Sequence, residues 1–185
     1  MENNKQTSLL SHIISILVLP FNVTVIVPTL LLYFLQYNWG WGIAEPFFFL
    51  ILLAGLLLLG AGLMLLILSI LQFAKKGKGT LAPWDPPKKL VVDGPYRYTR
   101  NPMISGVVLI LMGQVLIFGS IPLLVWFTYF TLVQYIYFIK REEPHLEKVF
   151  GEDYIEYKKN VPRLLPRRTP WKPKKGWSIN HSKTP

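Results

Sequence analysis

The distribution of charge along the first half of the chain constrains the fold more than any other feature. Between Lys5 and Lys75 there is no Lys or Arg, and the only acidic residue in that interval is Glu45. This uncharged stretch holds two apolar segments that each reach the roughly 20 residues needed to cross a bilayer as a helix. The chain is therefore predicted to be one integral membrane domain, residues 1–185, rather than a soluble globule.

The apolar segments predict an all-α, polytopic membrane protein with about four transmembrane helices. The predicted spans are 13–37, 47–73, 104–118 and 123–139, with a polar connection at 74–103 and an amphipathic tail at 140–185. Pro20 and Pro28 interrupt the first span, which should therefore be bent. The third span would rise only about 22 Å, short of the roughly 30 Å hydrocarbon core. A short turn joins the last two spans, which should form an antiparallel hairpin.

The basic residues predict which side of the membrane each connection faces. Seven Lys and Arg residues lie from Lys75 to Arg100, and twelve lie from Lys140 onward. The turns around Gly40 and Gly119, at the opposite ends of the spans, contain none. Because cytoplasmic loops carry an excess of Lys and Arg, both termini, the connection and the tail are predicted to be cytoplasmic. The net charge of +10 therefore indicates a membrane edge rather than nucleic-acid binding.

The composition excludes several kinds of active site. The chain has no cysteine, so it contains no disulfide, no thiolate metal ligand and no cysteine nucleophile. The three histidines, His12, His145 and His181, do not have the spacing that is typical of a metal site. The sequence therefore predicts a site without a protein-bound metal.

Two polar motifs lie at the predicted cytoplasmic ends of the last two spans. Residues 94–102 read Gly-Pro-Tyr-Arg-Tyr-Thr-Arg-Asn-Pro, and residues 141–144 read Arg-Glu-Glu-Pro. Pro102 suits the first turn of a helix, and Asn101 before it can cap that helix. The start of a helix favours an anion, and the arginines of the first motif add donors. The motifs together predict a site for a small charged molecule at one edge of the membrane.

Arg97 and Arg100 also have a second explanation. Basic residues at a cytoplasmic helix end obey the positive-inside rule and bind lipid phosphate. Ligand binding is favoured because tyrosines and a helix-starting Asn-Pro pair surround the two arginines. Arg100 is the candidate for orienting a carboxylate, because a planar guanidinium can donate two parallel hydrogen bonds.

Glu142 and Glu143 supply the acidic part of the second motif. Adjacent side chains on a helix point about 100° apart, so one of the two carboxylates should face the site. A carboxylate there can accept hydrogen bonds from a ligand, and Glu143 could also act as a base. The alternative is a solvated helix end, in which neighbouring basic residues such as Lys148 balance the two charges. The residues alone leave both explanations open.

These motifs resemble those of one superfamily of membrane enzymes. The resemblance rests on Leu-Gly-Ala-Gly-Leu at 59–63, on the motifs at 94–102 and 141–144, and on the stretch 150–162. They are similar to motifs of the isoprenylcysteine carboxyl methyltransferase and phospholipid N-methyltransferase superfamily. The chain has Arg-Asn-Pro at 100–102, where the isoprenylcysteine branch usually has Arg-His-Pro.

The resemblance implies a function and a set of site residues. It implies methyl transfer from S-adenosylmethionine to a lipophilic acceptor in the membrane, either a prenylated cysteine carboxylate or a phospholipid amine. With the resemblance, the predicted cofactor-binding residues are Gly60, Gly62, Tyr96, Arg97, Asn101, Pro102, Glu142 and Glu143. The predicted catalytic residues are Arg100, which orients the acceptor, and Glu143.

Three alternatives stay open from the sequence. Gly60 and Gly62 could serve only close helix packing, as small residues do in membrane proteins. The same helical hairpin could hold a nicotinamide cofactor in a membrane reductase. The chain could also be a non-catalytic scaffold whose basic tail binds anionic lipids.

Overall fold

The computed structural model describes residues 17–35, 41–76 and 90–172, and all regular secondary structure in these ranges is helical. No β-strand occurs in these ranges, which confirms the all-α prediction. In chain order the helices are a π-helical segment (Leu17–Ile26) that leads into α1 (Val27–Phe34), α2 (Phe47–Lys76), α3 (Pro102–Phe118), α4 (Ile121–Tyr137), α5 (Glu143–Phe150) and α6 (Glu152–Asn160). A 3₁₀ turn, Gly94–Arg97, precedes α3.

Two helices are long and apolar enough to cross a membrane, judged by length and composition. They are Phe47–Gln72 within α2 and the continuous helix Ile121–Phe150, which contains α4 and α5. Two further apolar helices, Pro20–Phe34 and Pro102–Phe118, are shorter. The four-span prediction therefore has support for two spans, and the crossing of the other two stays a prediction. Gly40, which should mark an outer turn, lies outside the described residues.

Helix boundaries differ from the predicted spans where local chemistry starts or extends a helix. Helix α3 begins at Pro102, two residues early, because the Asn101 side-chain oxygen accepts a hydrogen bond from the Ile104 backbone N–H (3.4 Å). It ends at Gly119, whose φ of 58° suits a residue without a side chain. Helix α4 does not end at its predicted limit, because a π-helical turn, Phe138–Glu142, carries it into α5.

The predicted irregularity of the first span takes the form of the π-helical segment that contains Pro20. Proline cannot donate a backbone hydrogen bond, and carbonyl oxygens near it accept other donors. Thr24 Oγ1 donates to the Pro20 carbonyl oxygen (2.7 Å), and Gln114 Nε2 of α3 donates to the Thr24 carbonyl oxygen (2.7 Å). Trp126 Nε1 of α4 donates to the Val23 carbonyl oxygen (3.1 Å). These bonds fasten the first segment to the hairpin.

Helices α2 and α3 pack along a glycine seam formed by Gly55, Gly62, Gly106 and Gly113. Gly62 lies opposite Gly106, and Gly55 lies opposite Gly113. A Cβ atom added at Gly62 would lie 2.7 Å from the Gly106 carbonyl oxygen and 2.8 Å from the Ile110 backbone nitrogen. Only hydrogen fits at that distance, so the two backbones approach as closely as small residues allow in membrane helices.

A C-terminal strap, residues 161–171, runs back along the loop and helix start at 97–105. The backbone hydrogen bonds between them run from Arg100 N–H to the Pro162 carbonyl (2.8 Å), Asn101 to Arg163 (3.3 Å), Arg167 to Tyr98 (3.0 Å) and Trp171 to Arg97 (3.0 Å). The hydroxyls of Thr99 and Ser105 also donate to strap carbonyls. The strap therefore fixes the first polar motif against the end of the helical hairpin.

Candidate functional site

A pocket opens at the polar end of the hairpin, where α3, the α4–α5 helix, α6 and the strap meet. It is lined by Leu90, Val91, Tyr96, Arg100, Asn101, Met103, Phe138, Glu142, Glu143, Leu146, Tyr154, Tyr157 and Arg163. Its cavity volume is about 110 Å³. Pockets that enclose whole small-molecule ligands have roughly 300–1,000 Å³, so the enclosed part suits one end of a larger molecule.

Glu143 is the centre of a buried ion cluster beside this pocket. Its side chain is 3% exposed, and its Oε1 lies 2.5 Å from Arg163 Nε and 3.1 Å from Arg100 Nη1. Its Oε2 lies 3.1 Å from Lys158 Nζ. A buried carboxylate is costly unless cations and hydrogen bonds compensate its charge, and here three cations do so. The cluster joins the first motif, α5, α6 and the strap.

The carboxylates around the cluster keep its cations charged. The hydrogen bond to Glu143 raises the pKa of Arg163 above its usual value. Hydrogen bonds to Glu147, at 2.7 Å, and to Glu143 raise the pKa of Lys158. The Arg163 guanidinium also lies over the Tyr135 ring, 5.0 Å from its centroid, which adds a cation–π contact. Both side chains are therefore cations throughout the neutral pH range.

Tyrosines of α6 connect the cluster to the first motif. Arg100 Nη1 donates to the Tyr154 hydroxyl oxygen (3.2 Å), and the Tyr157 hydroxyl donates to the Tyr96 carbonyl oxygen (2.6 Å). Burial raises the pKa of Tyr154 and of Tyr157. Burial, and then the charge of Glu142, raise the pKa of Tyr96. All three phenols stay protonated at neutral pH and serve as neutral hydrogen-bonding groups.

Two charged groups at the pocket keep free hydrogen-bonding capacity. Arg100 Nε is buried and has no hydrogen-bond partner among the residues that the structure describes. The Glu142 carboxylate lines the pocket and forms no ion pair or hydrogen bond with any residue that the structure describes. A cationic donor and a carboxylate acceptor on one pocket match a ligand that carries both an anion and a cation.

The structure brings together part of the predicted site. Tyr96, Arg100, Asn101, Glu142 and Glu143 line the pocket, whereas Gly60, Gly62, Arg97 and Pro102 do not. Pro102 is buried at the start of α3. Arg97 Nη2 donates to Asp93 Oδ1 at 3.2 Å, in an ion pair on the 3₁₀ turn.

The predicted glycine motif lies away from the pocket. Helix α2 approaches the loop of the first motif at Gln72, whose side chain lies 3.5 Å from a Cβ added at Gly94. At 1.5 Å per residue, Gly60 lies about 18 Å deeper along α2. A Cβ at Gly60 would meet nothing within 4 Å, whereas Gly62 belongs to the glycine seam. The structure thus gives Gly62 a packing role and places neither glycine at the pocket.

Glu142 and Glu143 both line the pocket, although only one of the two was expected to face it. The π-helical turn Phe138–Glu142 ends immediately before Glu143. The regular spacing of about 100° that underlies the expectation does not apply across such a junction. The two carboxylates nevertheless differ, because Glu143 contacts three cations and Glu142 contacts none among the described residues.

Four polar residues of this site were not predicted from the sequence: Tyr154, Tyr157, Lys158 and Arg163. They lie in or just after the stretch 150–162, which carried part of the resemblance without a role for any residue. A usable signal was present, because Tyr154 and Lys158 are four residues apart and therefore share one face of α6. Their contacts with Arg100 and Glu143 are long-range and depend on the fold of the strap.

Comparison with known proteins relates these residues to a family. Residues 50–153 match the family model described as phospholipid methyltransferase. The chain is 35% identical over 80 residues to protein-S-isoprenylcysteine O-methyltransferase of Schizosaccharomyces pombe, covering 42% of this chain and 33% of that protein. It is 34% identical over 82 residues to protein-S-isoprenylcysteine O-methyltransferase B of Arabidopsis thaliana, covering 42% and 40%. No solved structure gives a significant match.

The two relatives and the family model match the chain over different lengths. The chain spans a third to two fifths of the length of the two relatives. The family model, in contrast, covers more than half of the chain, from α2 into α6, including both polar motifs. The resemblance found in the sequence is thereby confirmed, and the chain belongs to the phospholipid methyltransferase family.

Proposed function

We propose that the protein transfers a methyl group from S-adenosylmethionine to a lipophilic acceptor at the edge of a membrane. The main support for this proposal is that Arg100 Nε and the Glu142 carboxylate lie at the same pocket. Each lacks a hydrogen-bond partner among the described residues and can bind a ligand. That pocket lies where the apolar helices end, so a polar cofactor and a membrane-bound acceptor can both reach it. Membership of the family supports the same activity.

The pocket residues fit the amino-acid end of this cofactor. Its carboxylate matches the free N–H of Arg100, and its ammonium matches the carboxylate of Glu142. Val91, Met103 and Phe138 provide an apolar wall for the carbon chain between them. When bound, S-adenosylmethionine supplies an electrophilic methyl group on a positively charged sulfur. The cavity is too small to enclose the nucleoside as well, so the fit concerns the amino-acid end.

The residues of the chain bind and orient the reactants in this proposal. Arg100 orients the carboxylate of the cofactor. This positions the cofactor for an in-line displacement, a reaction that depends on the alignment of the reacting groups. Glu143 holds Arg100 and Arg163 in place. Three cations stabilise its ionised form, so it is a poor proton acceptor and we assign it to positioning rather than to base catalysis. Glu142 is the carboxylate that remains available to a ligand.

A carboxylate acceptor is the first candidate. Both relatives are named as isoprenylcysteine O-methyltransferases, and the acceptor implied by that name is a prenylated cysteine. A carboxylate is already ionised at neutral pH, so its methylation requires no general base. Arg100 and Arg163 line the described pocket, and their guanidinium groups favour an anionic acceptor.

A phospholipid amine is the second candidate. The matched family model is described as phospholipid methyltransferase, and methylation of an amine releases a proton. Glu142 lines the pocket, and the carboxylate oxygen that does not bind the cofactor's ammonium could accept that proton, directly or through water. The identity of the methylated atom distinguishes the two candidates.

The membrane setting is also part of the proposal. The apolar helices cross the membrane, and both termini, the connection at 74–103 and the tail face the cytoplasm. The concentration of basic residues in those segments supports this orientation. The cofactor then enters the pocket from the cytoplasm, and the acceptor approaches laterally from the bilayer.

The test is methyl transfer by the purified full chain in lipid vesicles. S-adenosylmethionine with a labelled methyl group is supplied with either a farnesylated cysteine that has a free carboxylate or phosphatidylethanolamine. We expect a methyl ester on the prenylcysteine, recognised because alkali releases its label as methanol. Alkali-stable label on the phospholipid would instead support the amine acceptor. Absence of saturable S-adenosylmethionine binding would contradict the proposal, and preferential binding of a reduced nicotinamide would favour the reductase.

A further inference from the structure

The strap exposes an apolar side chain among basic residues. Leu165 is 82% exposed, more than any other large hydrophobic residue in the described part of the chain. Arg167 and Arg168 follow it, and no acidic residue occurs between Tyr157 and Trp171. An apolar residue next to cations is typical of segments that lie in the interface of an anionic membrane.

The hydrogen bonds of the strap place Leu165 at the edge of the apolar helices. Ser105 Oγ donates to the Leu164 carbonyl oxygen at 2.7 Å. Ser105 lies in the first turn of α3, where the apolar sequence of that helix begins. Leu165, the next residue, is therefore held at the level where the proposed hydrocarbon core ends.

The arginines near Leu165 differ in how far they are already engaged. Arg163 is bonded to Glu143. Arg167 donates from Nη1 to the Asn160 carbonyl oxygen at 2.8 Å, which leaves other N–H groups of its guanidinium available. Arg168 is exposed and forms no ion pair or hydrogen bond with the described residues. Arg168, and in part Arg167, can therefore bind an external anion.

We propose that residues 162–168 dock onto the anionic headgroup layer of the surrounding membrane. Leu165 inserts between the lipids, and Arg167 and Arg168 bind lipid phosphates. The inference rests on the membrane setting of the proposed function and not on methyl transfer. Because the strap carries Arg163 and hydrogen-bonds to the Arg100 loop, lipid docking also fixes the wall of the pocket.

The test uses a polarity-sensitive fluorophore on single cysteines, which the cysteine-free chain permits. Leu165→Cys of the full chain is labelled and reconstituted into vesicles of zwitterionic lipid, with or without acidic phospholipid. We expect a blue shift of its emission that grows with acidic lipid and decreases at high salt. Adding Arg168→Gln should raise the acidic-lipid fraction needed for half of the shift by about fivefold, which corresponds to about 1 kcal/mol per basic residue.

Two further single-cysteine variants, labelled in the same way, serve as controls. Glu152→Cys, exposed at the start of α6, should report water in every vesicle. Leu57→Cys, on an α2 side chain that is 65% exposed, should report lipid in every vesicle. The inference would be overturned if the emission wavelength of labelled Leu165→Cys equals that of labelled Glu152→Cys. It would also be overturned if that wavelength changes neither with acidic lipid nor with Arg168→Gln. A water-like signal from Leu57→Cys would overturn the membrane setting as well, whereas a failure of methyl transfer alone would leave this inference intact.

Discussion

The glycine seam and the Glu143 cluster hold neighbouring parts of the molecule by opposite means. In the seam, α2 and α3 approach until an added Cβ would lie within 3.0 Å of backbone atoms. In the cluster, one buried carboxylate attracts Arg100, Lys158 and Arg163 from three chain segments. The seam depends on shape and has no room for an added Cβ atom, whereas the cluster depends on the negative charge of the buried Glu143 carboxylate.

This difference indicates where a ligand can act. In the seam, the two backbones are so close that no space for a ligand remains between the facing glycines. The cluster borders a pocket. Two groups at that pocket, Arg100 Nε and the Glu142 carboxylate, can still form hydrogen bonds, because neither has a partner among the described residues. The apolar part of the hairpin therefore supplies a rigid support, and the polar end supplies the chemistry. Substitutions in the two regions test whether they have these separate roles.

The largest effect is expected for Glu143→Gln. This change leaves three cations around a neutral amide, and we expect the free energy of unfolding to fall by about 3 kcal/mol. The measurement is thermal unfolding followed by circular dichroism in detergent. Glu147→Gln is the control, because Glu147 contacts only Lys158 in the cluster at a partly exposed position and should cost less than about 1 kcal/mol. Equal losses would show that the cluster does not hold the polar end together.

A smaller loss is expected in the seam. Gly62→Ala forces α2 and α3 apart and should lower the free energy of unfolding by about 1–3 kcal/mol. Gly60→Ala, two residues away, meets open space and should be neutral or slightly stabilising, because alanine favours a helix. The same two variants test the predicted cofactor role of the glycines. Loss of S-adenosylmethionine binding in a folded Gly60→Ala protein would support that role and would contradict a purely structural role for this part of α2.

Arg100→Lys should act on catalysis more than on stability. Lysine keeps the charge near Glu143 but lacks the planar fork that orients a carboxylate. We expect a tenfold or greater loss in initial rate, or about 1.4 kcal/mol in the barrier, at matched membrane incorporation. Arg97→Lys is the comparison, since Arg97 pairs with Asp93 outside the pocket and should retain its activity. Full activity of Arg100→Lys would remove Arg100 from the site.

The smallest effect is expected for Lys158→Gln. Lys158 belongs to the cluster, but its side chain is 38% exposed, so water screens its contacts with Glu143 and Glu147. Removing the charge should cost less than about 1 kcal/mol of unfolding free energy, measured as for Glu143→Gln. A loss as large as that of Glu143→Gln would mean that the exposed cation, and not burial of the carboxylate, dominates the cluster.

Local chemistry made much of the fold predictable from the sequence. Apolar runs gave the all-α class, and the Asn101–Pro102 pair gave the start of α3 to within two residues. The polar motifs gave Arg100, Glu142 and Glu143, which line the pocket, because each motif adjoins the end of an apolar helix. These features depend on residues that are close together in the chain.

Features that depend on distant residues were not predictable. Gly60 and Gly62 look alike in the sequence, and only the packing of α3 against one face of α2 separates them. Lys158 and Arg163 reach Glu143 because α6 turns back and the strap hydrogen-bonds to 97–105. No local pattern encodes such pairings. The continuation of α4 into α5 was not predictable, because charged residues such as Lys140 and Arg141 are typical of the end of a membrane span.

Titration calorimetry of the purified protein with S-adenosylmethionine measures whether the pocket binds the cofactor. We expect saturable binding that Glu142→Gln weakens by about 1.5–3 kcal/mol, the range for a hydrogen bond to a charged group. Glu147→Gln, which removes a carboxylate outside the pocket, should leave the affinity unchanged. Equal affinities of the wild type, Glu142→Gln and Glu147→Gln, or no saturable binding at all, would contradict the assignment of this pocket to the cofactor.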